Sequence, residues 1–256
     1  MTTISILEGN PPVLLQQGKS AALPFVTCLM ALDASASLQM VCPYAVDVTD
    51  EMIDWADGVV FSGAGTVWSA AASEAAPQRA AMQRGFGKGV PVWGSCNGMQ
   101  LASVVLGGDL GVSANGDECG VARDIALTQA GVAHPMMTGK APVFASPCSH
   151  RDEVQTLPGG AILIAGNDHS PVQAMVYEKD GVDFWGVQYH PECSAPDIAG
   201  WMRGRGPDFA QLADNLEQAE ADPAAAARIG ATPQELAFSQ RTQELSNWLS
   251  HVKARA

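Results

Sequence analysis

The stretch Val90-Pro91-Val92-Trp93-Gly94-Ser95-Cys96-Asn97-Gly98-Met99-Gln100-Leu101-Ala102 decides the architecture. Its first half is a short apolar run, the mark of a buried strand. Its second half opens a helical segment over residues 97–106, stopped by Gly107-Gly108. Between the two lies Gly-x-Cys-x-Gly, a strand-to-helix elbow with a thiol at its tip. The tight turn forces the tip residue into a strained conformation, and side chains at the flanking positions would clash. The thiol then sits at a helix N-terminus, where the dipole favours thiolate. The Asn97 N–H is aimed at the same point and suits an oxyanion. A glycine-rich turn around a structural cysteine is the plainer reading of this motif taken alone.

Outward from the elbow, strand and helix alternate. Strands are expected at residues 4–7, 38–42, 58–61 and 90–93. Helices are expected at 20–33, with Ser20 as N-cap, and at 75–88, with Pro77 in the first turn. Past Gly108, strands at 121–128, 142–145, 161–165, 172–176 and 184–188 have no full helix between them, so part of the sheet is antiparallel. This implies an α/β, doubly wound, mixed but mostly parallel sheet with helices on both faces. Residues 205–256, rich in Ala, Gln and Glu, read as helices at 207–219, 223–228 and 233–252. Leu236, Phe238, Leu245, Trp248 and Leu249 would form one apolar face of the last. The expected organisation is an α/β domain over 1–204 and a C-terminal helical extension over 205–256, packed on it and covering an exposed edge.

A second motif is Phe184-Trp-Gly-Val-Gln-Tyr-His190-Pro-Glu192, a strand ending at a histidine with a carboxylate two residues on. A thiol needs a base to take its proton and return it to the leaving amine. The imidazole needs a partner that fixes its tautomer. Both motifs fall at carboxyl ends of strands, where doubly wound folds place their sites. A third candidate is the turn Phe61-Ser-Gly-Ala-Gly65, which either aims a backbone N–H into the site or is an ordinary βα turn.

Composition narrows the partners. Hydrophobic residues make up 47% and charged residues 16% of 256, a globular balance. Fourteen Lys plus Arg against a net charge of -13 argue against nucleic acid and against an anionic membrane surface. No apolar run has the length of a membrane span, and the N-terminus does not read as a signal peptide, so a cytoplasmic protein is expected. The six cysteines form no Cys-x-x-Cys pair, which weakens zinc, thioredoxin-like and disulfide readings. Cys193 lies three residues after His190, but no further ligands gather at metal spacing. No P-loop or Gly-x-Gly-x-x-Gly occurs, so no cofactor and no metal is expected. Trp68 and Trp201 either border a substrate or simply pack.

The cysteine elbow, the Gly-Val-Gln-Tyr-His-Pro-Glu run and their order resemble the class I, triad-type glutamine amidotransferase family. Ser149-His-Arg-Asp-Glu-Val154 resembles a stretch of its GMP-synthase-like branch. The likeness covers roughly residues 58–203. It implies a flavodoxin-like fold, Cys96 as nucleophile on a glutamine side-chain amide, His190 as base and acid, and Glu192 as its orienting carboxylate. It further implies oxyanion donors at Asn97 and Ala64 and substrate contacts at Gly65, Gln100, Ser149 and His150. The sequence departs from the family where Gly63-Ala64-Gly65 stands for the usual Gly-Gly-Pro, and the C-terminal helices have no recognised counterpart. No synthetase part lies within these residues. The first expectation is thus hydrolysis of glutamine to glutamate and ammonia for a separate synthetase subunit. The alternatives are a stand-alone γ-glutamyl amide or peptide hydrolase and a non-catalytic binding module on the same fold.

Overall fold

The apolar runs read from the sequence are strands in the computed structural model, which describes all 256 residues. The first half contains β1 Thr3–Leu7, α1 Pro12–Leu15, α2 Leu23–Leu32, β2 Ser37–Val41, α3 Asp50–Asp54, β3 Gly58–Phe61, α4 Ala76–Lys88, β4 Pro91–Ser95 and α5 Asn97–Val105. Next come β5 Asp109–Val112, β6 Glu118–Leu127, α6 Gln129–Ala133, β7 Val143–His150, β8 Asp152–Thr156, β9 Ile162–Gly166, β10 Ala174–Lys179 and β11 Val182–Val187. The chain ends with α7 Ala195–Arg205, α8 Ala210–Gln218, α9 Pro223–Arg228, α10 Pro233–Leu236, α11 Phe238–Arg241 and α12 Gln243–Arg255.

Nine strands form one sheet in the order β2-β1-β3-β4-β11-β10-β9-β6-β7. The stretch from β2 to β11 is parallel, and the stretch from β11 to β7 is antiparallel. A separate ribbon pairs β5 with β8. Side chains alternate between faces along each strand, and two cores result. Val60, Trp93, Trp185 and Val187 belong to one core, and Val59, Phe61, Val92 and Phe184 to the other. The first is covered by α2, through Phe25 and Leu29, and by α12, through Leu245, Trp248, Leu249 and Val252. The second is covered by α4 and α5, through Met82, Phe86, Met99 and Leu101. A third cluster joins α7 to α10 with Val121 and Ala145.

Several expectations change. Helix α2 begins at Leu23 with Ala22 as N-cap; Ser20 lies before it, where its hydroxyl accepts from the Leu23 N–H at 3.2 Å and donates to the buried carboxylate of Glu8, which also accepts from the Ala21 and Ala22 N–H groups. The run 233–252 is three helices, broken at Ala237 by an extended ψ of 141° and again at Thr242, with φ -94° and ψ 5°. Phe238 falls at the first break and is exposed. Of the C-terminal helices, the last covers a face of the sheet, while α10 packs on the edge strand β7 through Leu236 and Ala145. Helix α7 escaped the sequence reading because Pro196, Gly200 and Gly204 disguise it, yet a capping box between Ser194 and Asp197 starts it firmly.

Candidate active site

The register of three adjacent parallel strands assembles the site. Phe61 lies opposite Gly94, and Ser95 opposite Val187. The segments after β3, β4 and β11 therefore emerge side by side, carrying Gly63, Cys96 and His190. Cys96 has φ 50° and ψ -109°, a strained conformation for a residue with a side chain. Its N–H is held by Val187 O at 2.7 Å. A Cβ on Gly94 would lie 2.6 Å from the Gly98 carbonyl carbon, and one on Gly98 would lie 2.2 Å from Phe61 O. The clash read from the Gly-x-Cys-x-Gly pattern is thus a set of named backbone contacts.

Behind the thiol runs a buried polar line. Trp93 Nε1 donates to Ser95 Oγ at 3.0 Å, and Ser95 Oγ donates to Glu192 Oε2 at 3.0 Å. Glu192 Oε1 lies 2.7 Å from His190 Nδ1. A carboxylate only accepts, so Nδ1 carries the proton in that bond, and Nε2 is the ring atom left for Cys96. Burial alone would lower the His190 pKa. The adjacent Glu192 carboxylate, aided by hydrogen bonds with Cys193 and Cys96, outweighs it and holds the imidazole well above its ordinary value. The His190 N–H is fixed by Pro147 O at 2.8 Å. A Cβ at Gly63 would sit 2.8 Å from His190 Cε1, which explains the glycine there. The Trp201 ring stands 5.1 Å from the imidazole, at 83° to its plane.

A cavity of about 750 Å³ opens above this line, and every site residue singled out from the sequence lines it. The N–H groups of Asn97 and Ala64 donate to no group of the protein. The Gly65 N–H differs: it donates to Asn10 Oδ1 at 2.7 Å and is not free for a substrate. Gln100 Nε2 donates to Asp152 O at 2.6 Å and to Gln188 Oε1 at 3.2 Å. Ser149 O lies 3.8 Å from Cys96 Sγ. The His150 ring is tied at Nε2 to Glu118 at 2.8 Å. Burial would raise the Glu118 pKa, but hydrogen bonds from His150, Asn167 and Gln173 hold it below the usual carboxylate range.

Three other thiols are deeply buried. Burial pushes Cys28 and Cys193 up to about 12 and Cys148 well above its ordinary value, so these stay protonated. His190, Glu192 and Cys193 bring ligand-type atoms within 4.8 Å of one another. Two of the three are already joined to each other, His190 Nδ1 to Glu192 Oε1 at 2.7 Å.

Four residues of the site were not legible as such. Ser95 was visible only as the variable position of the elbow. Trp201 stood as a residue that either packs or borders the substrate. Asn10 holds the Gly65 turn and, through Nδ2, Lys19 O at 2.9 Å. Arg241, buried in the C-terminal region, donates to Pro191 O at 2.6 Å, between His190 and Glu192.

Comparison with known proteins places the chain in a family. Residues 25–197, which contain both motifs, match the family model for "Glutamine amidotransferase class-I". A "Gamma-glutamyl-L-1-hydroxyisopropylamide hydrolase" of a Pseudomonas species is 42% identical over 124 residues, covering 47% of this chain and 42% of the hydrolase. A "GMP synthase [glutamine-hydrolyzing]" of Shewanella baltica is 34% identical over 155 residues, 58% of this chain and 28% of the synthase. The chain thus spans less than half the length of either relative. A solved glutamine amidotransferase of Thermotoga maritima superposes with a TM-score of 0.69 at 16% identity, covering 98% of this chain and 97% of that one. One from Methylobacillus flagellatus gives 0.61 at 21% identity, covering 99% of this chain and 92% of that one. At such identities the two structures speak for the fold. The family match extends over most of the chain and takes in Cys96, His190 and Glu192, and on that ground the chain belongs to the class-I glutamine amidotransferase family.

Proposed function

We propose that this chain hydrolyses the amide bond of a γ-glutamyl substrate through a thioester on Cys96. The observation that carries the proposal is the buried line from Trp93 through Ser95 and Glu192 to His190, ending at a strained cysteine beneath a cavity. Cys96 passes its thiol proton to His190 Nε2 as Sγ attacks the γ-carbonyl carbon, and the oxyanion is received by the N–H groups of Asn97 and Ala64. The C–N bond breaks as His190 Nε2 passes a proton to the leaving nitrogen. Water then attacks the thioester, His190 takes its proton, the C–S bond breaks, and glutamate leaves. Glu192 holds the imidazole throughout. Gln100, Ser149 and His150 border the glutamyl end. The steps need no cofactor.

Glutamine is the smallest such substrate, and its ammonia would pass to a separate synthetase, as the likeness to a glutamine-hydrolysing GMP synthase suggests. A specific observation favours the stand-alone reading. A cavity of about 750 Å³ lies in the range of sites for drug-sized ligands, roughly 300–1,000 Å³, far above what glutamine fills. The likeness to a hydrolase named for a substituted γ-glutamyl amide points the same way. Residues 1–204 hold every group named for the chemistry, and residues 205–256 support them. Six free cysteines suit a reducing, cytoplasmic setting, and no helix is long and apolar enough to cross a membrane.

The test follows glutamate release from glutamine and from N-substituted γ-glutamyl amides. Cys96→Ala is expected to lower kcat by on the order of 10³ or more. Release at the wild-type rate from that variant rules the mechanism out. No release from any amide by the wild type leaves a binding module on this fold.

A further inference from the structure

The leaving nitrogen has little choice of neighbourhood. It must come within hydrogen-bond reach of His190 Nε2, because Nδ1 is held by Glu192 at 2.7 Å. Any group on that nitrogen therefore lies beside the imidazole. At Cε1 the space is closed by Gly63, where even a Cβ would come within 2.8 Å of the ring. Trp201 stands 5.1 Å away, perpendicular to the ring, and lines the same cavity. It is 38% exposed, so part of the indole is open in the cavity that His190 also lines.

Helix α7, which carries Trp201, is shaped around the same space. Gly200 and Gly204, one turn apart, also line the cavity, and a Cβ on either would meet nothing within 4 Å. Glycine weakens a helix interior relative to alanine, and no close contact requires it here. What the two glycines share is open space at their Cβ positions, on the helix that carries Trp201. Lys19 lines the cavity without an ion pair and disfavours a cationic amine, while the charges of Arg205 and Arg151 are matched. Arg205 pairs with Asp117, and Arg151 pairs with Asp152 at 2.7 Å. None of the four offers an uncompensated charge to a charged amine.

Resting on the hydrolase reading above, we propose that α7 forms the subsite for the leaving amine. The preferred substrate is a γ-glutamyl amide whose nitrogen carries an uncharged, apolar and flat substituent lying against Trp201. An aromatic group there would stack on the indole or meet its edge.

The experiment compares γ-glutamyl anilide with glutamine in the wild type, Trp201→Ala and Trp201→Phe. Aniline is intrinsically the better leaving group, but that advantage cancels when one enzyme is compared with another. The ratio of kcat/KM for the anilide over glutamine is expected to fall about tenfold in Trp201→Ala and much less in Trp201→Phe. Gly204→Leu, which fills the open volume, is expected to lower the same ratio. An unchanged ratio in Trp201→Ala overturns the proposal. A binding arm separates this proposal from the hydrolase reading. The Cys96→Ala protein is titrated with γ-glutamyl anilide by calorimetry, with and without Trp201→Ala. A weakening of about tenfold supports the subsite even if no amide is turned over. Equal affinity in both overturns it, whatever becomes of the chemistry.

Discussion

Glu192 is where two requirements meet at the scale of one residue. One oxygen orients His190 and the other is fixed by Ser95. Glu192→Gln keeps the shape and removes the charge, which is the largest influence opposing the burial of His190, so the imidazole pKa falls. The mutation is expected to lower kcat on the order of a hundredfold. It also carries a signature in stability. A histidine whose pKa is raised on folding contributes stability that is fully present below its unfolded value of about 6.5 and is lost as pH rises through the folded value. The gap in unfolding free energy between wild type and Glu192→Gln should be widest near pH 6 and shrink toward alkaline pH. Urea titrations across that range check it, and a constant gap would show that the pair does not titrate as argued. Cys96, His190 and Glu192 were legible because each sits in a short contiguous motif. Arg241 was not, because its partner is a backbone carbonyl 50 residues away, and a carbonyl leaves no mark in sequence.

Among the elements, the short helix α11 does more than its length suggests. It carries Arg241, whose guanidinium reaches into the His190-Pro191-Glu192 turn, and the break at Ala237 sets its direction. Arg241→Met removes a buried charged donor and should cost about 1.5–3 kcal/mol of stability. If Arg241 positions the turn, kcat falls about tenfold while KM changes little, as for an interaction realised in the transition state. Arg241→Lys should restore part of kcat. A loss in stability with kcat and KM both unchanged would reduce Arg241 to a packing role. The helical composition of residues 233–252 was readable, but its interruption was not. The first break comes from an extended Ala237, and nothing about an alanine announces that.

For the molecule as a whole, α12 belongs to the sheet's own core. Leu245, Trp248, Leu249 and Val252 are buried against Val60, Trp93 and Trp185, and Gly58 is a glycine because a Cβ there would lie 2.8 Å from Val252 Cγ2. At about 1.5–3 kcal/mol per buried side chain, these four contribute as much as the roughly 5–15 kcal/mol that stabilises a whole domain. A chain ending at residue 241 should therefore fail to fold cooperatively. Near-UV circular dichroism without a sharp thermal transition would show it, and a native-like melt would refute it. The parallel half of the sheet was legible because strand and helix alternate there at short range. The antiparallel half was legible as strands but not as an order, since the pairing of β6 with both β7 and β9 depends on partners far along the chain.

The pairing of β4 with β11 also sets a clock. Ser95 meets Val187 across two strands that lie far apart in the chain, and only that alignment brings Cys96 to His190. A slip of one residue would carry the histidine about 3.3 Å along the strand and turn its side chain to the other face. No half-assembled chain is therefore half active. After dilution from denaturant, helices should return early, while turnover waits for this distant and slowly closed register. The recovery of activity then times the last step of folding.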